Sequence, residues 1–158
     1  MEKAIATVML TVAGIAAIVA VLNSLMPAIT RTSSSIVATA DGVDSRIQTH
    51  VEIIHAAGAT GSPVVEAWTK NIGGIAIAPL ERVDVFFGPE SNFVRVPYGT
   101  GACTAPCWTY EIENDSVWNP TATLRITLNL EDDLVSGTTY YIKVVAPNGV
   151  SDARFFTV

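Results

Sequence analysis

The run Ala4–Leu22, AIATVMLTVAGIAAIVAVL, constrains this chain more than any other stretch. It carries no charge, and Thr7, Thr11 and Gly14 are its only interruptions. No formal charge occurs between Lys3 and Arg31. A helix over that span is about 40 Å long at 1.5 Å rise per residue, enough to cross a bilayer's hydrocarbon core. The apolar residues leave no polar stripe to turn toward water. Such a helix must be surrounded, either by lipid or by copies of itself.

A cleaved secretory signal fits these residues poorly. The apolar run exceeds the roughly 7–15 residues of a signal core, and the lead-in offers only Glu2 and Lys3. Ala38-Thr39-Ala40, the one small-residue pattern of the right kind, lies too far downstream.

Asn23, Ser24 and Pro27 then mark a kink or a break, because proline removes a backbone donor and disfavours helix before it. Beyond it, Ile29, Ile36, Val37, Ala40, Val43 and Ile47 resume a near-helical spacing, with Ser33, Ser34, Asp41, Asp44 and Arg46 opposite. The spacing predicts one long helix to about Thr49, kinked near Pro27, with an amphipathic second half. The alternative is a flexible stalk over Thr30–Ser35.

From His50 onward the period changes to two. Val51–His55, Val64–Asn71, Ile75–Ala78, Arg82–Phe87, Asn92–Tyr98, Trp108–Glu113, Thr123–Leu130, Thr139–Val145 and Ala153–Val158 read as strands. Asn148-Gly149 reads as a type I′ hairpin turn. Strands without intervening helices make an antiparallel sandwich, so the expected class is α+β: a long hydrophobic helix followed by an immunoglobulin-like antiparallel β-sandwich. The expected division is residues 1–49 for the helix and 50–158 for the sandwich.

The chemistry of enzymes is missing from this pattern. His50 and His55 are the two histidines, five apart and on no common face. No nucleophile turn occurs, Gly99–Gly101 lacks the flanking Lys-Ser/Thr of a phosphate loop, and no cofactor motif is present. The net charge of −6 and the scattered basic residues argue against nucleic acid. Cys103 and Cys107, in CTAPC, lack a second Cys/His cluster for zinc and read as a loop-stapling disulfide. Beside a membrane-type segment they suggest an oxidising, extracytoplasmic setting. Asn114-Asp115-Ser116 is an N-glycosylation acceptor at Asn114. Glu131-Asp132-Asp133 reads as an acidic solvated turn, with calcium as the rarer alternative.

VLNSLMPAI closing the hydrophobic helix, DSRIQTHVEIIHAAG after it, then WTKNIGG and IAPLERVDVFFG resemble the archaellins and related archaeal type IV pilin-like proteins. Within that family the wording is especially similar to the subgroup that includes archaellum stator proteins. The resemblance reaches to about Gly88; the second half matches by its β-rich character alone. Two departures stand out. Precursors of the family carry a short basic leader before the helix, so Met1 is either the first residue after cleavage or the start of an unprocessed chain. Position 5 is Ile5, where bacterial type IV pilins place glutamate.

The resemblance implies assembly: N-terminal helices bundle into an apolar core and the sandwiches tile the outside. The helix suits this independently, since Ala4, Ala6, Ala13, Gly14, Ala16, Ala17 and Ala20 let helices approach closely. The expected polymerisation positions are Ala4, Val8, Thr11, Gly14, Ile15, Ala17, Ile18, Val21, Leu22 and Leu25. The implied protein is a non-enzymatic subunit of an archaellum or pilus-like extracellular filament, used for motility or adhesion. Its partners would be identical subunits, the assembly machinery and, before assembly, the membrane. The alternative is a membrane-anchored archaellum stator or anchoring protein that binds the surface layer or the filament.

Overall fold

The structure, a computed structural model, describes residues 2–100 and 103–158. Met1 and Gly101, on which the readings of processing and of the Gly99–Gly101 turn rest, lie outside the described residues. The chain divides into two compact units between Val43 and Asp44.

Helix α1 spans Glu2–Gln48, 47 residues, and Pro27 lies inside it. The expected alternatives of a break at Pro27 and of a stalk over Thr30–Ser35 do not hold: the helix runs through both. The hydroxyl groups of the run are taken up within the helix. Thr32 donates to the Ala28 carbonyl at 2.9 Å, Ser34 to Arg31 at 2.9 Å and Thr39 to Ser35 at 2.8 Å. Side chains that would favour a turn in water instead bond back along the helix.

The second unit holds eight strands: β1 (Val51–Gly58), β2 (Val64–Asn71), β3 (Asp84–Pro89), β4 (Val94–Val96), β5 (Cys107–Glu113), β6 (Thr123–Asn129), β7 (Thr139–Val145) and β8 (Ser151–Thr157). They form two four-stranded sheets, β1-β2-β6-β5 and β4-β3-β7-β8, with every neighbouring pair antiparallel. Each sequential hairpin stays within a sheet, and each link between hairpins crosses to the other. This is the strand order of an immunoglobulin-like sandwich, with β4 added beside β3.

Alternation decides the packing. On β2, Val65, Ala67 and Thr69 turn inward; on β6, Leu124, Ile126 and Leu128 do so, and on β7, Tyr140, Ile142 and Val144. The period-two pattern read in the sequence therefore sets the core face of each strand. Trp108 and Trp118 are buried within this core.

Three local expectations differ. Ile75–Ala78 forms no strand; only Ile77 pairs, as an isolated bridge to Trp118. The Ile75 carbonyl is instead taken by the Asn71 side chain, and a 3-10 turn follows at Leu80–Arg82. Asn92–Tyr98 shortens to β4, beyond which Tyr98 bridges to Trp108 in parallel. Asn148-Gly149 is not a type I′ turn: of the two, only Gly149 has positive φ, at 87°. Pro147 fixes φ negative at the first turn position, so a three-residue loop ends in a left-handed glycine, with Gly149 N–H donating to Ala146 O at 2.8 Å.

Candidate assembly site

The expected polymerisation residues lie along the first half of α1. Ala4, Val8, Thr11, Ile15, Ile18, Leu22 and Leu25 step by four and three, so at 100° per residue they share one face. Gly14, Ala17 and Val21 sit beside that seam. None is covered: Val8 and Ile18 are each 61% exposed and Ile15 is 62%. A Cβ added at Gly14 would meet nothing within 4 Å. Nothing in its own chain requires a glycine there.

The threonine hydroxyls of this segment are bonded to its own backbone. Thr7 donates to the Lys3 carbonyl at 2.8 Å and Thr11 to Val8 at 2.8 Å; near the proline, Thr30 donates to Met26 at 3.0 Å. The helix hydrogen-bonds its own backbone, so the face it presents is apolar in practice as well as composition. By length and composition α1 can cross a membrane.

The last turn, Asp44–Gln48, belongs with the sandwich, and its fastening went unnoticed in the sequence. Asn148 Nδ2 donates to Thr49 Oγ1 at 2.7 Å and to Ser45 O at 3.3 Å. Arg46 Nε donates to Asn148 O at 3.0 Å, and Gly74 N–H to Gln48 O at 2.7 Å. Gly73 makes this joint possible: a Cβ there would lie 2.6 Å from His50 N. Just beyond, the fully buried Asn71 donates to Ile75 O at 2.8 Å and Trp118 O at 3.0 Å, and accepts from Gly73 N–H at 3.0 Å. The polar residues of WTKNIGG and of the Asn148 turn thus hold both sides of the exit from α1.

The remaining candidates scatter. Cys103 and Cys107 are joined with Cα atoms 5.8 Å apart, in the range a disulfide needs. Asn114 is exposed with φ 61°, next to Asp115. The Asp115 carboxylate accepts from Asn119 Nδ2 and Ser116 N–H, which holds it below the usual aspartate range. Burial, then the Glu81 carboxylate, pushes the Tyr110 phenol up. His55 is exposed and tilts against Trp68, with ring centroids 5.5 Å apart. Among the described residues no three His, Cys, Asp or Glu side chains converge as metal ligands, Glu131–Asp133 included. On the far side, Asp152 accepts from Ile53 N–H at 2.7 Å and Arg154 donates to Ile53 O at 2.8 Å, tying β8 to the bulged edge of β1.

With this geometry in place, the comparisons decide the family. Residues 2–154 match the family model described as archaeal-type flagellin. The chain belongs to the archaeal-type flagellin family. An uncharacterized protein of Archaeoglobus fulgidus is 26% identical over 163 residues, spanning 99% of this chain and 98% of its own. The archaellum periplasmic stator protein FlaG from Sulfolobus acidocaldarius is similar in structure, at TM-score 0.60 and 29% identity over 68% of this chain and 99% of that one. Its complex with FlaF gives TM-score 0.59 and 28% identity over 67% and 87%. The archaeal flagellum of Methanospirillum hungatei strain JF1 gives TM-score 0.68 over 100% of this chain and 93% of that chain. At 11% identity that last likeness is one of fold. The chain that matches over these lengths is one apolar helix followed by two antiparallel four-stranded sheets.

Proposed function

We propose that this chain is a structural, non-catalytic subunit of an archaellum-type filament, in which the α1 helices of identical subunits bundle into an apolar core. The observation that carries the reading is α1 itself. Its first half is uncharged from Ala4 to Thr30, bonds its threonine hydroxyls to its own backbone and exposes its apolar side chains all round. Copies packed side by side would cover that surface; a non-closing rotation between them gives an open fibre. Before assembly the same helix would rest in the membrane, from which the assembly machinery extracts it to the cell surface. Family membership supports the polymer, and the exposed Gly14 supports close helix approach.

The second reading is a resident stator or anchoring protein, with α1 kept in the bilayer and the sandwich binding the surface layer or the filament. The 29% identity to a stator protein favours it. Electron microscopy of sheared cell-surface material, with mass spectrometry of the fibres, separates the two. This chain is expected as the dominant fibre component. A few copies per cell, confined to the envelope fraction, would overturn the polymer and leave the anchor.

A further inference from the structure

Past Thr30, helix α1 carries apolar side chains that neither lipid nor the chain itself covers. The uncharged run from Ala4 to Thr30 already exceeds the roughly 30 Å of a bilayer's hydrocarbon core, so the residues beyond it stand in water when α1 rests in the membrane. Ile36 is 64% exposed there, Val43 51% and Ile47 76%. They continue a row that begins in the membrane half: Val8, Ile15, Leu22, Ile29, Ile36 and Val43 recur every seven residues. A second row of the same period runs beside it, from Ile5 through Val19 and Met26 to Ala40 and Ile47, with Ser33 as its one polar member. The other flank of the first row turns polar past Pro27, at Thr32, Thr39 and Arg46.

Lipid is satisfied by apolar residues on every side and imposes no period. Two adjacent rows with a seven-residue repeat are the pattern of a helix packed on another helix in a left-handed supercoil. The direction and depth of that other helix follow from the anchor. Copies held in one membrane insert the same end first, and Lys3 and Arg31, bracketing the uncharged run, set each at the same level. Copies therefore lie parallel and in register. The charges of the second half permit the contact. Arg31 and Asp41 each lie about 140° around the helix from Ile36, at 100° per residue. Asp44, beside the rows, accepts from Gln48 Nε2 at 2.6 Å, and Arg46 donates to the Asn148 carbonyl at 3.0 Å. The two rows thus bring no like charges together.

We propose that, in the membrane, α1 pairs with α1 of a second copy of this chain along these two rows, parallel and in register as far as Ile47. The pairing rests on the membrane placement that the polymer and anchor readings share, and it needs neither a fibre nor the assembly machinery. Ser33 then meets its own counterpart, a single polar position that specifies register. Ile36, Val43 and Ile47 leave water together. In register the contact closes on itself, whereas a fibre needs an axial offset between subunits, so assembly would exchange one for the other.

The test uses the full-length chain in phosphatidylcholine vesicles, where no assembly machinery is present. Single cysteines at Ser33, Ile36 and Ala40, on the rows, are compared with single cysteines at Ser34, Ala38 and Asp41, away from them. Each is oxidised with copper phenanthroline, the native cysteine pair being already joined. The first three are expected to form disulfide-linked dimers about tenfold faster than the others, and to keep that rate when the lipid is diluted. Ile36→Lys in the Ser33→Cys chain should slow its cross-link about tenfold while the circular dichroism of the sandwich stays unchanged. Equal rates at all six positions, no dimer at any, faster reaction at the outer three, a rate that falls in proportion to dilution, or indifference to Ile36→Lys would each overturn the pairing. Fibres are scored separately in sheared cell-surface material. Fibres without row-specific cross-links remove the pair and leave the polymer; cross-links without fibres support the pair and remove the polymer.

Discussion

The fully buried Asn71 amide satisfies the buried Trp118 carbonyl and the half-buried Ile75 carbonyl and Gly73 N–H. Replacing it with alanine leaves the Trp118 carbonyl without its amide donor, so Asn71→Ala should lower stability by about 1–3 kcal/mol, read by denaturant unfolding. Asn71→Asp should be at least as damaging, because a carboxylate cannot donate to the two carbonyls. A loss below about 0.5 kcal/mol would mean that water reaches the site. The Cys103–Cys107 staple belongs to the same scale. Reduction should cost about 2 kcal/mol and loosen the segment from Pro97 to Trp108, read as a lower melting temperature with reductant. In the sequence, both cysteines and the Asn-Ile-Gly turn were visible as motifs. The partner of Asn71, Trp118 O, was not, because it lies 47 residues away and only the fold brings it near. Gly149 marks its neighbour Asn148 as a turn former, while the Asn148 amide spans 99 residues to Thr49. Spacing reports local geometry, and single long-range hydrogen bonds leave no periodic trace.

At the scale of elements, helix α1 and most strands were legible because burial imposes a period: none over Ala4–Leu22, two over Val64–Asn71 and Thr123–Asn129. The Ser/Thr run stays within the one long helix that the apolar spacing predicts, its hydroxyls bonded back along α1. Ile75–Ala78 departs from its expected strand because the Asn71 side chain takes the Ile75 carbonyl. The assembly residues follow from the same apolar spacing, and substitution tests them. Gly14 sharpens the test. Its Cβ position is open, so Gly14→Leu should favour the isolated helix by about 0.5–1 kcal/mol while blocking close approach of a neighbour. Ala17→Arg would place an unpaired charge in the proposed apolar bundle, at a cost of several kcal/mol. Both variants are expected to abolish fibres in negative-stain images while leaving the circular dichroism of the sandwich unchanged. Fibres that persist with Ala17→Arg would put this face outside the core.

At the scale of the whole molecule, the division between Val43 and Asp44 falls inside α1, not at its end. The physical reason is that Ser45, Arg46, Gln48 and Thr49 hydrogen-bond into the sandwich, so the last helical turn is a part of the outer domain's own structure. A chain starting at Asp44 keeps all of these bonds and loses the exposed apolar surface through which association is proposed. It should fold as a monomer at any attainable concentration, measured by analytical ultracentrifugation. A chain starting at His50 loses the bonds from Asn148 to Ser45 and Thr49, the bond from Gly74 N–H to Gln48 O, and the cover over Gly73. Leaving that buried edge unpaired should cost about 1–3 kcal/mol and lower the melting temperature by several degrees relative to the Asp44 start. Equal melting temperatures for the two would show that the helix turn is merely carried by the sandwich. The predicted difference would instead make that turn a structural part of the sandwich, stabilised by Asn148 and Gly74.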